Sequence, residues 1–107
     1  MKMEKENTAV TTVEEPVYKL SRPFSFDGTE YTELKLDLDD LTGEDLIACE
    51  RQLNATTDDV VFVKELSKPY LALVAARAAK VPVELIRKLP GKDFSKVTMQ
   101  VQNFLLG

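Results

Sequence analysis

The sequence has no histidine, no tryptophan, one cysteine and four glycines in 107 residues. Without His there is no Ser–His or Cys–His nucleophile pair and no imidazole to ligate a metal. A single Cys makes neither an internal disulfide nor a zinc site. Cys49 lies inside an amphipathic pattern and reads as a small, semi-buried thiol. Gly is too scarce for a phosphate-cradling loop, and Gly91-Lys92 lacks the preceding Walker spacing. Long apolar runs are missing too. The longest, around Tyr70 to Ala79, is broken by Arg77 and falls far short of a membrane span. Met1-Lys2-Met3-Glu4-Lys5-Glu6 does not carry the apolar stretch of a signal peptide, so a reducing cytoplasm is the expected setting.

What is present is charge and a moderate apolar content. Eighteen acids against 14 bases give a net charge of −4, with 44% apolar and 30% charged residues. That is the profile of one soluble globular domain. An acidic balance argues against duplex nucleic acid and against an anionic membrane surface. Arg87, Lys88, Lys92 and Lys96 have no interleaved aromatics to stack bases, so they read as solvated helix faces and turns. Asp37-Leu38-Asp39-Asp40 resembles the start of a calcium loop, but the sixth position is Thr42 and the twelfth Ala48, where an EF-hand needs Gly and Glu. No carboxylate pair sits in a pattern that predicts a raised pKa in a cleft. The expectation is a protein with no catalytic residues, no metal and no cofactor.

The charge is unevenly spread. Asp27 to Asp45 holds eight acids and one base, and Lys64 to Lys96 holds eight bases and three acids. Two solvated faces, or pairing of the halves within one molecule, account for this. Head-to-tail self-association, basic face on acidic face, is the sharper alternative.

Along the chain, residues 1–16 show no aromatic and no apolar period, and read as a mobile arm or a segment that folds on a partner. Residues 17–107 read as one α+β domain, an N-terminal antiparallel hairpin of two or three strands packed on about four helices. Tyr18, Leu20, Arg22, Phe24 and Phe26 alternate on one face of a strand, and Pro23 demands a sheet edge or a bulge. Asp27-Gly28 marks the turn. A two-residue turn pairs Leu20 with Lys35. A three-residue turn pairs Leu20 with Leu36 and Tyr18 with Leu38, placing Leu34, Leu36 and Leu38 on the inner face. The second arrangement, with a local bulge and a strand running to about Leu38, is preferred on that ground. Thr42 caps a helix ending near Asn54. Val60-Val61-Phe62-Val63 fits a strand or a short helix. Ser67 and Pro69 open a helix that is apolar nearly all round through Ala79, either buried or pressed on a neighbouring subunit. A short helix with Leu85, Ile86 and Leu89 ends at Pro90-Gly91. Asp93 then caps a last helix striped by Phe94, Val97, Val101, Phe104 and Leu105.

Three stretches taken together resemble a known family. They are Phe24-Ser25-Phe26-Asp27-Gly28-Thr29-Glu30-Tyr31-Thr32-Glu33-Leu34 with the acidic run to Asp40, the Ala-rich Leu71-to-Lys80 helix, and Val81-Pro82 through Leu89-Pro90-Gly91-Lys92-Asp93 to Phe104-Leu105. The order resembles the small tail assembly chaperones of contractile-tailed, Mu-like phages and prophages. The resemblance implies a scaffold in the host cytoplasm that coats the tape measure protein and is absent from the finished virion. The tail tube protein and a frameshifted longer form of the chain itself are candidate partners, beside a homo-oligomer. The expected contact residues for client or subunits are Tyr70, Leu73, Arg77, Phe94, Val97, Val101, Phe104 and Leu105, most of which serve equally well as the domain's own core. A small acidic regulatory or antitoxin-like interaction protein is the alternative function.

Overall fold

A computed structural model describes residues 17–56 and 67–107. The expected arm and the Val60–Val63 segment lie outside the described residues. The elements run β1 (Val17–Phe26), β2 (Thr29–Lys35), α1 (Gly43–Thr56), α2 (Lys68–Ala79), α3 (Val83–Arg87) and α4 (Gly91–Leu106), an α+β order with a two-stranded antiparallel sheet.

The hairpin corrects the preferred register. The turn has two residues, with Phe26 opposite Thr29. Asp27 (φ 52°) and Gly28 (φ 82°) are both left-handed, the geometry whose twist matches antiparallel strands and which Asp-Gly adopts readily. Phe24 then faces Tyr31, but Tyr18 faces Leu34 and Lys19 faces Glu33. Between those pairs β1 spends three more residues than β2, in a bulge across Leu20–Pro23. Pro23 brings no N–H to the ladder, so pairing fails there cheaply. An odd number of extra residues also swaps the faces of β1. Tyr18 therefore shares a face with Leu34, which is buried, while Phe24 and Phe26 join Tyr31 on the other face. Leu20 lies in the bulge rather than opposite Leu36, and Tyr18 does not pair with Leu38. Strand β2 stops at Lys35, and Leu38–Asp40 form a 3-10 turn in which Leu41 N–H donates to Leu38 C=O at 3.0 Å. Acidic residues at consecutive positions suit a turn better than a strand.

Helix α2 is the centre of the fold and packs on α1, α3, α4 and β2. Its Tyr70, Leu71, Ala72, Leu73, Val74, Ala75, Ala76 and Ala78 are all buried, so the chain itself covers the all-round apolar surface. Four alanines let the neighbouring backbones come close, and each large side chain contributes roughly 1.5–3 kcal/mol by leaving water. The helix ends on Lys80 in the left-handed region, with Val81 N–H donating to Ala76 C=O at 3.0 Å. Ser67 occupies the cap position but its side chain makes no capping bond. Around α2 the core closes with Leu34 and Leu36 of the hairpin segment, Cys49 and Leu53 of α1, Leu85 and Ile86 of α3, and Val97 and Val101 of α4.

Candidate functional site

Among the described residues two polar side chains are fully buried, Asp93 and Thr98, and Asp93 is the ionisable one. It does not cap α4: that helix starts at Gly91 behind Pro90, with no side-chain cap. Its carboxylate instead reaches β1. Tyr18 Oη donates to Oδ1 at 2.7 Å, Ser21 N–H to Oδ1 at 3.0 Å and Ser21 Oγ to Oδ2 at 2.8 Å. The backbone N–H that the bulge removes from the ladder is thereby satisfied. Burial disfavours the charge on Asp93, but the hydrogen bonds from Tyr18 and then Ser21 outweigh it and hold the carboxyl below its ordinary value. Burial, together with the same bond, pushes the Tyr18 phenol up to about 12.

At the start of α1, Asp45 N–H donates to Thr42 Oγ1 at 3.2 Å and Thr42 N–H donates to Asp45 Oδ2 at 2.8 Å, a reciprocal capping box. The Thr42 cap is as the sequence suggests. Arg77 Nε of α2 donates to Asp45 Oδ1 at 2.8 Å. The bond from the Thr42 backbone, then that from Arg77, lowers the Asp45 carboxyl, and the Arg77 guanidinium is raised in return. Burial pushes the Cys49 thiol up, so it stays protonated at neutral pH. Asp37 is raised, chiefly by a hydrogen bond with Asp40.

The eight expected contact residues separate into groups. Tyr70, Leu73, Val97 and Val101 are buried among this chain's own side chains. Phe94 and Leu105 are half-buried at the margin of that core. Arg77 is exposed but engaged with Asp45. Phe104 is exposed at 37%. The most exposed large apolar side chains are ones the sequence reading did not single out: Met99 (59%), Leu106 (58%) and Ile47 (48%). Met99 and Leu106 are seven residues apart on α4, so they share a face opposite its core stripe. Setting aside the core stripe and asking which apolar positions of α4 remain would have found them.

Shallow hollows mark the helical surface. One of about 300 Å³ lies over Leu73 and Ala76 of α2, between Cys49 and Gln52 of α1 and Val83 and Glu84 of α3. Another of about 260 Å³ sits where α2 begins, between the ends of α3 and α4, lined by Lys68, Pro69, Ala72, Arg87, Leu89, Gly91 and Phe94. Among the described residues, no group of three His, Cys, Asp or Glu is placed to hold a metal ion. No helix among them is long and apolar enough to cross a membrane.

A small α+β fold with exposed apolar helix surface and shallow hollows has the makings of a protein that meets other proteins. The family comparison agrees in kind. Residues 17–106 match the family of "Phage tail assembly chaperone proteins, E, or 41 or 14", and the chain belongs to that phage tail assembly chaperone family. No curated protein and no solved structure matches the chain.

Proposed function

We propose that the protein is a non-enzymatic chaperone that binds the tape measure protein in the host cytoplasm, keeps it soluble while the tail tube assembles, and self-associates in doing so. The observation that carries this reading is the outward apolar surface of α4. Met99 and Leu106 are exposed on the face of α4 opposite its core stripe, and Phe104, on the stripe side, is 37% exposed near the C-terminal end. A long, sticky helical client needs apolar surface to cover it, and a Met side chain adapts to many partners without a shaped pocket. The abundant surface charge keeps such a complex in solution. Of the residues expected to touch a partner, Phe104, Leu105, Phe94 and Arg77 have atoms to offer, while Tyr70, Leu73, Val97 and Val101 hold the surface from beneath. The tail tube protein and a longer form of this chain are further candidates for contact.

Co-expression tests the reading. The tape measure protein should move from the insoluble to the soluble fraction when this protein is present. Met99→Asp with Leu106→Asp should abolish that transfer while circular dichroism still shows a folded chain. A tape measure protein equally insoluble with and without the wild-type chain would overturn the proposal.

A further inference from the structure

Charge in the described residues divides by sequence. Residues 17–56 carry nine acids and four bases, whereas residues 67–107 carry seven bases and two acids, or −5 against +5. Part of this is neutralised within the molecule. Arg77 pairs with Asp45, and Lys80 lines the same hollow as Asp37 and Asp40. Two patches are left over.

One is the corner where α3 meets α4. Arg87, Lys88, Lys92 and Lys96 are exposed there, and Lys68 flanks the same corner. Arg87, Lys88 and Lys96 form no ion pair among the described residues. Of the two acids nearest in sequence, Asp93 is turned inward to Tyr18 and Ser21, and Glu84, exposed one turn before Arg87 on α3, forms no ion pair among the described residues. Between these cations opens the hollow of about 260 Å³, whose floor is apolar: Pro69, Ala72, Leu89 and Phe94. The other patch is the tip of the hairpin. Asp27 and Glu30 are exposed beside the turn, also without an ion pair among the described residues. Next to them the two-residue turn sets Phe24, Phe26 and Tyr31 on one face, each packed in part against this chain's own core with the rest of the side chain exposed. One surface is an apolar hollow ringed by positive charge, and the other is an aromatic ridge edged by negative charge.

We infer that the hairpin tip of one copy docks in the α2–α3–α4 corner of a second copy. This rests on the self-association in the proposed function and names its two surfaces. The aromatic edge of the tip supplies apolar area to the hollow. Asp27 and Glu30 meet Arg87, Lys88 and Lys92, whose like charges would otherwise be left facing one another. Because donor and acceptor surfaces are different parts of the chain, such contacts can be repeated from copy to copy, as coating a long client requires.

A charge exchange tests it by sedimentation velocity. Asp27→Asn with Glu30→Lys reverses the tip and keeps a turn sequence, Asn-Gly, that suits the same geometry. Arg87→Glu with Lys88→Glu takes the three cations that meet the tip, Lys92 among them, from +3 to −1. Each variant alone should associate more than about tenfold more weakly than wild type, because like charges now face each other. The two variants mixed in equal amounts should regain association, which a misfolded variant cannot do. Wild-type association should weaken as salt rises. If both variants associate as wild type does, or if only one is affected, the assignment fails and self-association through another surface stands. If each is weakened but the mixture does not recover, the two patches are not each other's partners. A wild type that is monomeric at every concentration and salt removes the assignment and self-association together. Solubilisation of the tape measure protein, read separately, is untouched by either result.

Discussion

The helical layer and the hairpin are held in place by different forces. The helices are fixed by apolar side chains spread over many positions: Leu71, Val74, Leu85, Ile86, Val97 and Val101 are all fully buried. The hairpin depends on fewer anchors. Leu34 and Leu36 enter the core and the apolar side chains of β1 pack half-buried against it, while three hydrogen bonds to one carboxylate fix where its bulge sits. Apolar contacts are non-directional and fix that two elements touch. Hydrogen bonds fix which residues touch, and here they select a bulge over a regular ladder. The tip beyond the bulge then carries Phe24, Phe26 and Tyr31 on the face opposite to Leu34, each half-buried against the core.

Substitutions should separate the two regimes. The largest effect belongs to the helical layer. Leu71→Ala empties a fully buried position in the first turn of α2, and it should lower unfolding stability by about 2–5 kcal/mol in urea titration, with every spectroscopic probe reporting the same midpoint. Asp93→Ala should cost somewhat less, about 2–3 kcal/mol, by leaving Tyr18 and Ser21 without their charged acceptor. Its damage should be local: hydrogen exchange should rise in β1 and β2 more than in α2.

The Asp93 latch also gives a pH signature. The carboxyl is lowered in the fold, so its contribution is fully present above its unfolded value and is lost as pH falls through the folded one, below about 4. Tyr18 has the opposite sign. Its phenol moves from 10.0 to about 12 in the fold, so its contribution is complete below pH 10 and declines as pH rises through that window. The stability gap between wild type and Asp93→Asn should therefore be widest near neutrality and narrow in acid. Tyr18→Phe should flatten the alkaline limb. A gap independent of pH from 3 to 7 would show that folding leaves the Asp93 carboxyl unshifted.

The same contrast explains what could be read from the sequence. Apolar period and local chemistry are short-range, so the stripe on α4, the burial of Cys49, the Thr42 cap and the place, though not the length, of the turn at Asp27-Gly28 were legible. The inner face of Leu34 and Leu36 was legible as well. The register was not. It turns on Ser21 meeting a carboxylate 72 residues away, and no local pattern carries that information. Asp93 looked like a helix cap because Asp near a helix start usually is one. For α2 the sequence left open whether the cover was this chain or a neighbour, since composition states that a face is buried and not by what. On the candidate site, the outward Met99 and Leu106 were hidden by attention to the core stripe on the same helix.

Thr42→Ala probes the join between the two regions at an intermediate scale. It removes the acceptor for Asp45 N–H at the start of α1 and should cost about 1 kcal/mol. Thr42→Ser should recover most of the loss, because the hydroxyl and not the methyl does the capping.

The smallest effect expected is at Arg77, the residue that ties the basic half to the acidic one. Its side chain is 44% exposed and that of Asp45 26% exposed, so water and salt screen the attraction. Arg77→Met keeps the apolar stem and removes the charge, and should shift the urea midpoint only slightly, with the difference shrinking further as salt is added. Asp45, however, is shared: the same carboxylate accepts from the Thr42 hydroxyl at 3.2 Å and from Arg77. Freed from Arg77, it can turn fully to the helix start, so the loss of the ion pair is partly offset there. The double variant Thr42→Ala with Arg77→Met should therefore lose more than the two single losses added together. Strict additivity would mean that the ion pair and the cap act independently, and that Arg77 does no more for the junction of the halves than its weak surface charge suggests.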